Sequence, residues 1–298
     1  MLEEVMKMNA LSRWLIVSIP LILLPVILWF VLPQPRAAVY GLYRDRGRSS
    51  VLTSLKGYEK LSGKYVDVYF MEKDKTVAGW VLETTESVYQ PVTQQVGYTP
   101  TDRVPVIIYP DRDELRQAFG WGNGESAMGV YWSGTVRLLS PNVWISEKRD
   151  RDKRSVFDKL NPIAHELTHY MLDYRTNGNY PRWFTEGLAQ RVEYALTGYL
   201  WIESDSSLDQ DLYSLDDLSG QFDNLTNQPL AYRQSFLLVD YIAQTYGEDA
   251  MTGLVNHLSD GVKFEAAVSR MTGRSMPDIY ENWLDWVDKH RTDLEAAG

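Results

Sequence analysis

The sequence predicts an α+β chain. An apolar N-terminal helix is followed by a domain with a small mixed sheet in its first half and helices in its second half, and a metal centre lies in the groove between. Three observations predict this. Residues 14–32 carry no charge at all. Between residues 64 and 139, short runs rich in Val, Ile and Tyr alternate with turn residues. From Asn161 onward apolar residues recur at helical spacing, and the first of these runs contains His165-Glu166-Leu167-Thr168-His169.

The elements follow in chain order. Residues 1–13 read as an N-terminal tail. Residues 14–32 are long enough to span a bilayer, with Trp14 and Trp29 near the ends where aromatic residues anchor. Pro20 and Pro25 are tolerated in a membrane helix. A cleaved signal peptide is the rival reading. The small residues Ala37-Ala38 follow Pro35 and Arg36, a poor cleavage site, so the segment reads as a retained anchor. Arg36, Arg44, Arg46 and Arg48 after the span outnumber Lys7 and Arg13 before it, which argues for a cytoplasmic domain. The absence of cysteine excludes disulfides and thiol chemistry but fixes no compartment. The expectation is a single-pass membrane protein in contact with the bilayer through residues 14–32; against the arginine count, its folded domain is expected to be extracytoplasmic on the strength of the family resemblance given below.

Residues 33–62 read as a juxtamembrane segment, helical from about Ser49, and residues 63–298 as the folded domain. Lys64–Phe70 alternates as a strand. Asp74 opens a helix from Lys75 to Gln95. Val104–Tyr109 is a strand stopped by Pro110, and Asp111–Phe119 a short helix. Gly120-Trp121-Gly122-Asn123-Gly124 is a flexible loop. Gly129–Trp132 and Thr135–Leu139, joined by Ser133-Gly134, read as a hairpin with a two-residue turn. The run from Glu147 to Arg154 mixes both charge signs and reads as a solvated linker. Lys plus Arg total 30 and Asp plus Glu 40, a net charge of −10. With no long basic run, this excludes a nucleic-acid-binding function. The C-terminal helices are Leu230–Tyr246, Glu248–Leu258, Phe264–Met271 and Pro277–Leu294.

The chemistry concentrates in the middle. The chain has four histidines, and His165 and His169 are two of them. Asn161 is a suitable N-cap, Pro162 suits the first helical position, and Gly178 suits the stop. On that helix positions i and i+4 share a face, so two imidazoles converge on one ion while Glu166 stands beside it unbound. The ion this motif takes is zinc. A catalytic zinc needs a third protein ligand and an open position for water. A third histidine six residues on is ruled out by Arg175. Glu186, in Trp183-Phe184-Thr185-Glu186-Gly187-Leu188-Ala189, is the candidate, because a carboxylate among apolar neighbours needs a partner such as a metal. Gly187 and Ala189 are small and let the second helix approach the first closely.

H-E-L-T-H followed by W-F-T-E-G-L-A resembles the gluzincin metallopeptidases, specifically the peptidase MA-like domain, over roughly residues 64–290. The resemblance implies a zinc hydrolase of peptide bonds. His165, His169 and Glu186 would bind one zinc and Glu166 would be the general base. It also implies an oxyanion donor. Tyr232, at the start of the helix expected to fold over the cleft, is the candidate, with His257 the alternative. It further implies an edge strand upstream of the zinc helix that pairs with extended substrate, and Val136–Leu139 is that candidate. One departure is visible. Thermolysin-like members carry an acidic residue four positions after the ligand glutamate, and this chain has Gln190 there. An amide accepts a hydrogen bond but does not raise histidine basicity as a carboxylate does. Glu193 and Asp173 are candidate substitutes, each also readable as a solvated surface residue.

The competing function is a catalytically silent, zinc-stabilised binding domain at the membrane. Glu166 discriminates, because such a domain has no use for a base beside the metal. A membrane-embedded protease is excluded, since the motif helix carries Glu166, Asp173 and Arg175.

Overall fold

The computed structural model describes residues 35–124 and 126–296. Twelve α-helices and five strands are found among them: α1 (Pro35–Ser54), β1 (Glu59–Ser62), β2 (Val66–Phe70), α2 (Lys75–Val96), β3 (Val104–Tyr109), α3 (Arg112–Phe119), β4 (Gly129–Trp132), β5 (Thr135–Leu139), α4 (Pro141–Trp144), α5 (Asp150–Leu160), α6 (Ile163–Thr176), α7 (Arg182–Thr197), α8 (Leu215–Gly220), α9 (Gln228–Tyr246), α10 (Glu248–Ser259), α11 (Phe264–Thr272) and α12 (Met276–Ala296). The fold is α+β and mostly helical, with one small mixed sheet.

The sheet order is β1-β2-β3-β5-β4. β2, β3 and β5 run parallel, and β1 and β4 are antiparallel edges. β3 reads Val-Pro-Val-Ile-Ile-Tyr and is buried throughout, as a central strand covered on both faces must be. Its Val104, Val106 and Ile108 pack with Ala78 and Val81 of α2 in the main core. Its Ile107 and Tyr109 join Leu115 and Leu139 in a second core under Val51 and Leu52 of α1.

The helix ends obey local chemistry with two adjustments. Gly97 and Gly198 close α2 and α7 in the left-handed region, where a Cβ is strained. Pro162, expected in the first turn, is itself the N-cap of α6, and Asn161 stands one residue further out, where its side-chain oxygen accepts from the Ile163 N–H at 3.3 Å. Asp74 precedes α2 without capping it. Its buried carboxylate instead accepts from Ser140 Oγ at 2.5 Å and Asn142 Nδ2 at 3.0 Å.

Three expectations are corrected. Among the described residues no helix is long and apolar enough to cross a membrane. This overturns the single-pass membrane placement with an extracytoplasmic domain. The span expected over residues 14–32 lies outside the described residues. α1 carries Arg44, Asp45, Arg46 and Arg48, charges too dense for a bilayer interior. Second, this helix runs from Pro35 rather than from Ser49. Third, β5 (Val136–Leu139 in the expectation) is no edge: it is buried between β3 and β4, and β4 is the strand with a free side.

Candidate metal centre and catalytic groups

α6 and α7 pack as neighbours and present the site between them. His165, His169 and Glu186 turn toward one point. His165 Nε2 lies 3.0 Å from His169 Nε2, and Glu186 Oε2 lies 3.2 Å from the first and 3.3 Å from the second. These three form the cluster that could hold a metal ion among the described residues. A tetrahedral ion with bonds of about 2.0–2.1 Å needs ligand atoms about 3.3 Å apart, so the triangle has the size zinc requires.

The histidine tautomers fit as well. His169 Nδ1 lies 2.7 Å from Thr185 Oγ1, and His165 Nδ1 lies 3.4 Å from Glu193 Oε2. A proton on each Nδ1 leaves both Nε2 lone pairs aimed at the centre of the triangle. The charge balance points the same way. Glu166, Glu186 and Glu193 are all buried, at 5 %, 1 % and 9 % exposure. Arg182 is ion-paired to Glu186 Oε1 and, at 3.1 Å, to Asp223. One arginine shared with an exposed aspartate leaves this site short of positive charge, which a divalent cation supplies.

The ionisation of the groups follows from these contacts. Burial works against charge on Glu186, but Arg182, His169 and the hydrogen bonds from both histidines hold it well below the usual carboxylate range. Burial also pushes Glu166 up to about 7, with His165 opposing and the Glu186 charge adding to the rise. Burial lowers His169 despite Glu186. His165 is buried too, yet its bonds to Glu186 and Glu193 carry it upward.

β4 lies directly on Glu166. A Cβ at Gly129 would stand 2.8 Å from Glu166 Cγ and 2.7 Å from Pro162 Cγ, so only glycine lets the strand sit this close. The hairpin pairs Trp132 with Thr135 around Ser133 and Gly134, both at positive φ (46° and 72°), as a two-residue turn demands. Bonded and non-bonded pairs alternate from there, and the Leu139 N–H to Met128 O bond at 2.9 Å keeps the phase. Gly129 and Tyr131 therefore turn their backbone groups away from β5, on the side where Gly129 packs against Glu166.

Gly187 acts at a different contact from the expected one. A Cβ there would collide with Ser235 O of α9, so its smallness admits α9 rather than α6. That close crossing brings the start of α9 to the site. Gln190 Nε2 donates to Tyr232 O at 2.9 Å. Burial and then the Glu186 charge raise the Tyr232 phenol, whose ring packs between Trp201 and Phe222 at 5.3 Å each. His257 is elsewhere: its neighbour Asn256 holds Arg175, ten residues beyond His165 on α6.

Glu193 and Asp173, both readable from the sequence as solvated, are buried. Glu193, not Gln190, is the carboxylate beside a histidine ring nitrogen. Its spacing of i+7 from Glu186 was the available signal, since both lie on one face of α7. Asp173 is fully buried in a polar cluster with Arg44, Tyr40, Tyr131 and Tyr180. Arg182, one turn before Glu186, was also not singled out.

Residues 89–289 match the Peptidase MA superfamily, and the chain belongs to that superfamily. It is 20% identical over 283 residues to YhcO, an uncharacterised protein of Bacillus subtilis (strain 168), covering 84% of this chain and 79% of YhcO. Among solved structures it is similar to native leukotriene A4 hydrolase from Saccharomyces cerevisiae, with a TM-score of 0.44 and 16% identity. That match covers 78% of this chain and spans 38% of the hydrolase.

Proposed function

We propose that this chain is a zinc-dependent metallopeptidase of the gluzincin type. His165, His169 and Glu186 hold one zinc, and Glu166 is the general base. The observation that carries this is the zinc-sized triangle of Nε2, Nε2 and Oε2 atoms with a buried, non-ligating glutamate beside it. When bound, zinc supplies a Lewis acid and lowers the pKa of a water toward neutrality.

The protein groups do the rest. Glu166, fixed under β4 with a raised pKa, takes a proton from the attacking water and delivers it to the leaving amine. Thr185 and Glu193 keep the imidazoles turned with Nε2 inward. An extended peptide adds to the outer edge of β4, where the backbone groups of Gly129 face away from β5. This passes the scissile bond across Glu166. Tyr232 donates its hydroxyl to the carbonyl oxygen as negative charge develops.

The testing experiment is cleavage profiling of a peptide library by mass spectrometry, with and without chelator. Hydrolysis should vanish on chelation and return with added zinc. A zinc-loaded protein that cuts nothing in the library would overturn the reading. Tyr232→Phe should lower kcat about 10²–10³-fold, the scale for loss of one oxyanion donor. KM should change little, because that bond is made in the transition state. An unchanged kcat would leave Tyr232 as a packing residue between Trp201 and Phe222.

A further inference from the structure

Asp173 is charged, fully buried, and has no part in the chemistry above. Its carboxylate collects four donors. Tyr40 OH bonds Oδ1 at 2.6 Å and Tyr180 OH the same oxygen at 3.2 Å. Tyr131 OH bonds Oδ2 at 2.6 Å and Arg44 Nη1 the same oxygen at 3.3 Å. Four donors, one of them cationic, satisfy the hydrogen-bonding capacity of this buried carboxylate. They come from three separate stretches: α1, β4 and the turn before α7.

One of these partners leads back to the active site. Glu166 and Asp173 are seven residues apart on α6, two turns along one face. Tyr131 links the two. Its phenol reaches Asp173, and two residues earlier on the same strand Gly129 packs against Glu166. The phenol oxygen also accepts from the Gly134 N–H at 3.3 Å, and the ring meets Tyr170 edge-on at 5.8 Å. β4 is a four-residue strand paired on one side only. Such a strand has little hold of its own, yet Gly129 must stay in contact with Glu166.

We propose that Asp173 and Tyr131 are positioning residues for the peptidase reaction. Asp173 holds the Tyr131 phenol, which fixes β4 against α6 and thereby fixes the carboxylate of Glu166 for proton transfer. This rests on the reading of Glu166 as the base. Tyr40 shares the Asp173 carboxylate but lies on α1 and touches neither β4 nor Glu166 through it, which makes it the internal comparison.

The test uses the full chain, zinc-loaded, as wild type, Tyr131→Phe and Tyr40→Phe. Each substitution takes one phenol from the same carboxylate, so the melting temperatures should fall to a similar degree. Zinc content should stay at the wild-type level in both. Tyr131→Phe should lower kcat about 10–100-fold, the scale of a displacement near 1 Å at a reacting group, while Tyr40→Phe should leave kcat near wild type. Crystal structures of the three proteins supply a readout independent of activity. In Tyr131→Phe the Glu166 carboxylate should shift together with Gly129, and in Tyr40→Phe both should keep their places. Equal kcat losses in the two variants, or a Glu166 carboxylate unmoved in Tyr131→Phe, would overturn the proposal. A wild type without Glu166-dependent cleavage would instead overturn the peptidase reading, and the crystal structures would still decide the positioning.

Discussion

His165→Ala should strip the zinc from the chain and take peptide hydrolysis to background. The imidazole contributes one corner of the triangle, with Nε2 at 3.0 Å and 3.2 Å from the other two ligand atoms. Two remaining ligands do not make a closed site for a four-coordinate ion. The loss should extend beyond the metal. Without it, the buried carboxylate of Glu186 loses a cationic partner and keeps only Arg182, and removing one partner from a buried charge is destabilising. Chelator-treated wild type should therefore melt at a lower temperature than the zinc-loaded protein, and added zinc should restore it. Elemental analysis separates the ligands from their neighbours. His165→Ala and His169→Ala should retain little zinc and Glu186→Gln should bind it weakly. A Glu193→Gln protein should keep more, because Glu193 faces the far ring nitrogen of His165 and not the ion. Full zinc content in His165→Ala would refute the ligand set.

Much of this site was legible in the sequence because its geometry is local. Two histidines one turn apart on a capped helix converge whatever the rest of the chain does. Glu186 stood out because a charged residue between Phe184 and Leu188 has to be buried with a partner. The C-terminal helices were legible for a similar reason: periodic apolar runs ending at Gly247 and Gly273 leave little freedom in their bounds.

What was not legible depends on contacts distant in the chain. The two strands of the β4–β5 hairpin look alike, and nothing in Thr135–Leu139 states that it pairs with β3 in parallel. That one pairing decides which strand is the edge and which reaches Glu166. Gly187 advertised a close approach but not the partner, which is Ser235 on α9. Asp173 read equally well as solvated because its counter-ion, Arg44, lies 129 residues earlier. Charge alone does not distinguish a solvated carboxylate from one enclosed by a distant arginine and three tyrosines.

Glu166→Gln should keep the fold and the zinc and lose about 10³–10⁴-fold in kcat, near the upper end for a single acid–base group. The substitution is nearly isosteric, so Gly129 still packs against the side chain and β4 keeps its place. An amide has no basic site for the proton of the attacking water and none to return to the leaving amine. KM should stay close to wild type if Glu166 serves as the proposed base, because a base acts on the reacting atoms in the transition state. The contrast with Glu186→Gln is the decisive feature. Both carboxylates are buried, both lie beside His165, and both become amides. One variant should be an inactive zinc protein and the other a zinc-poor one. If the two contain zinc equally, the roles of base and ligand are misassigned. If Glu166→Gln retains near-normal kcat, the proton leaves the water by another route, and the contact between Gly129 and Glu166 serves packing alone.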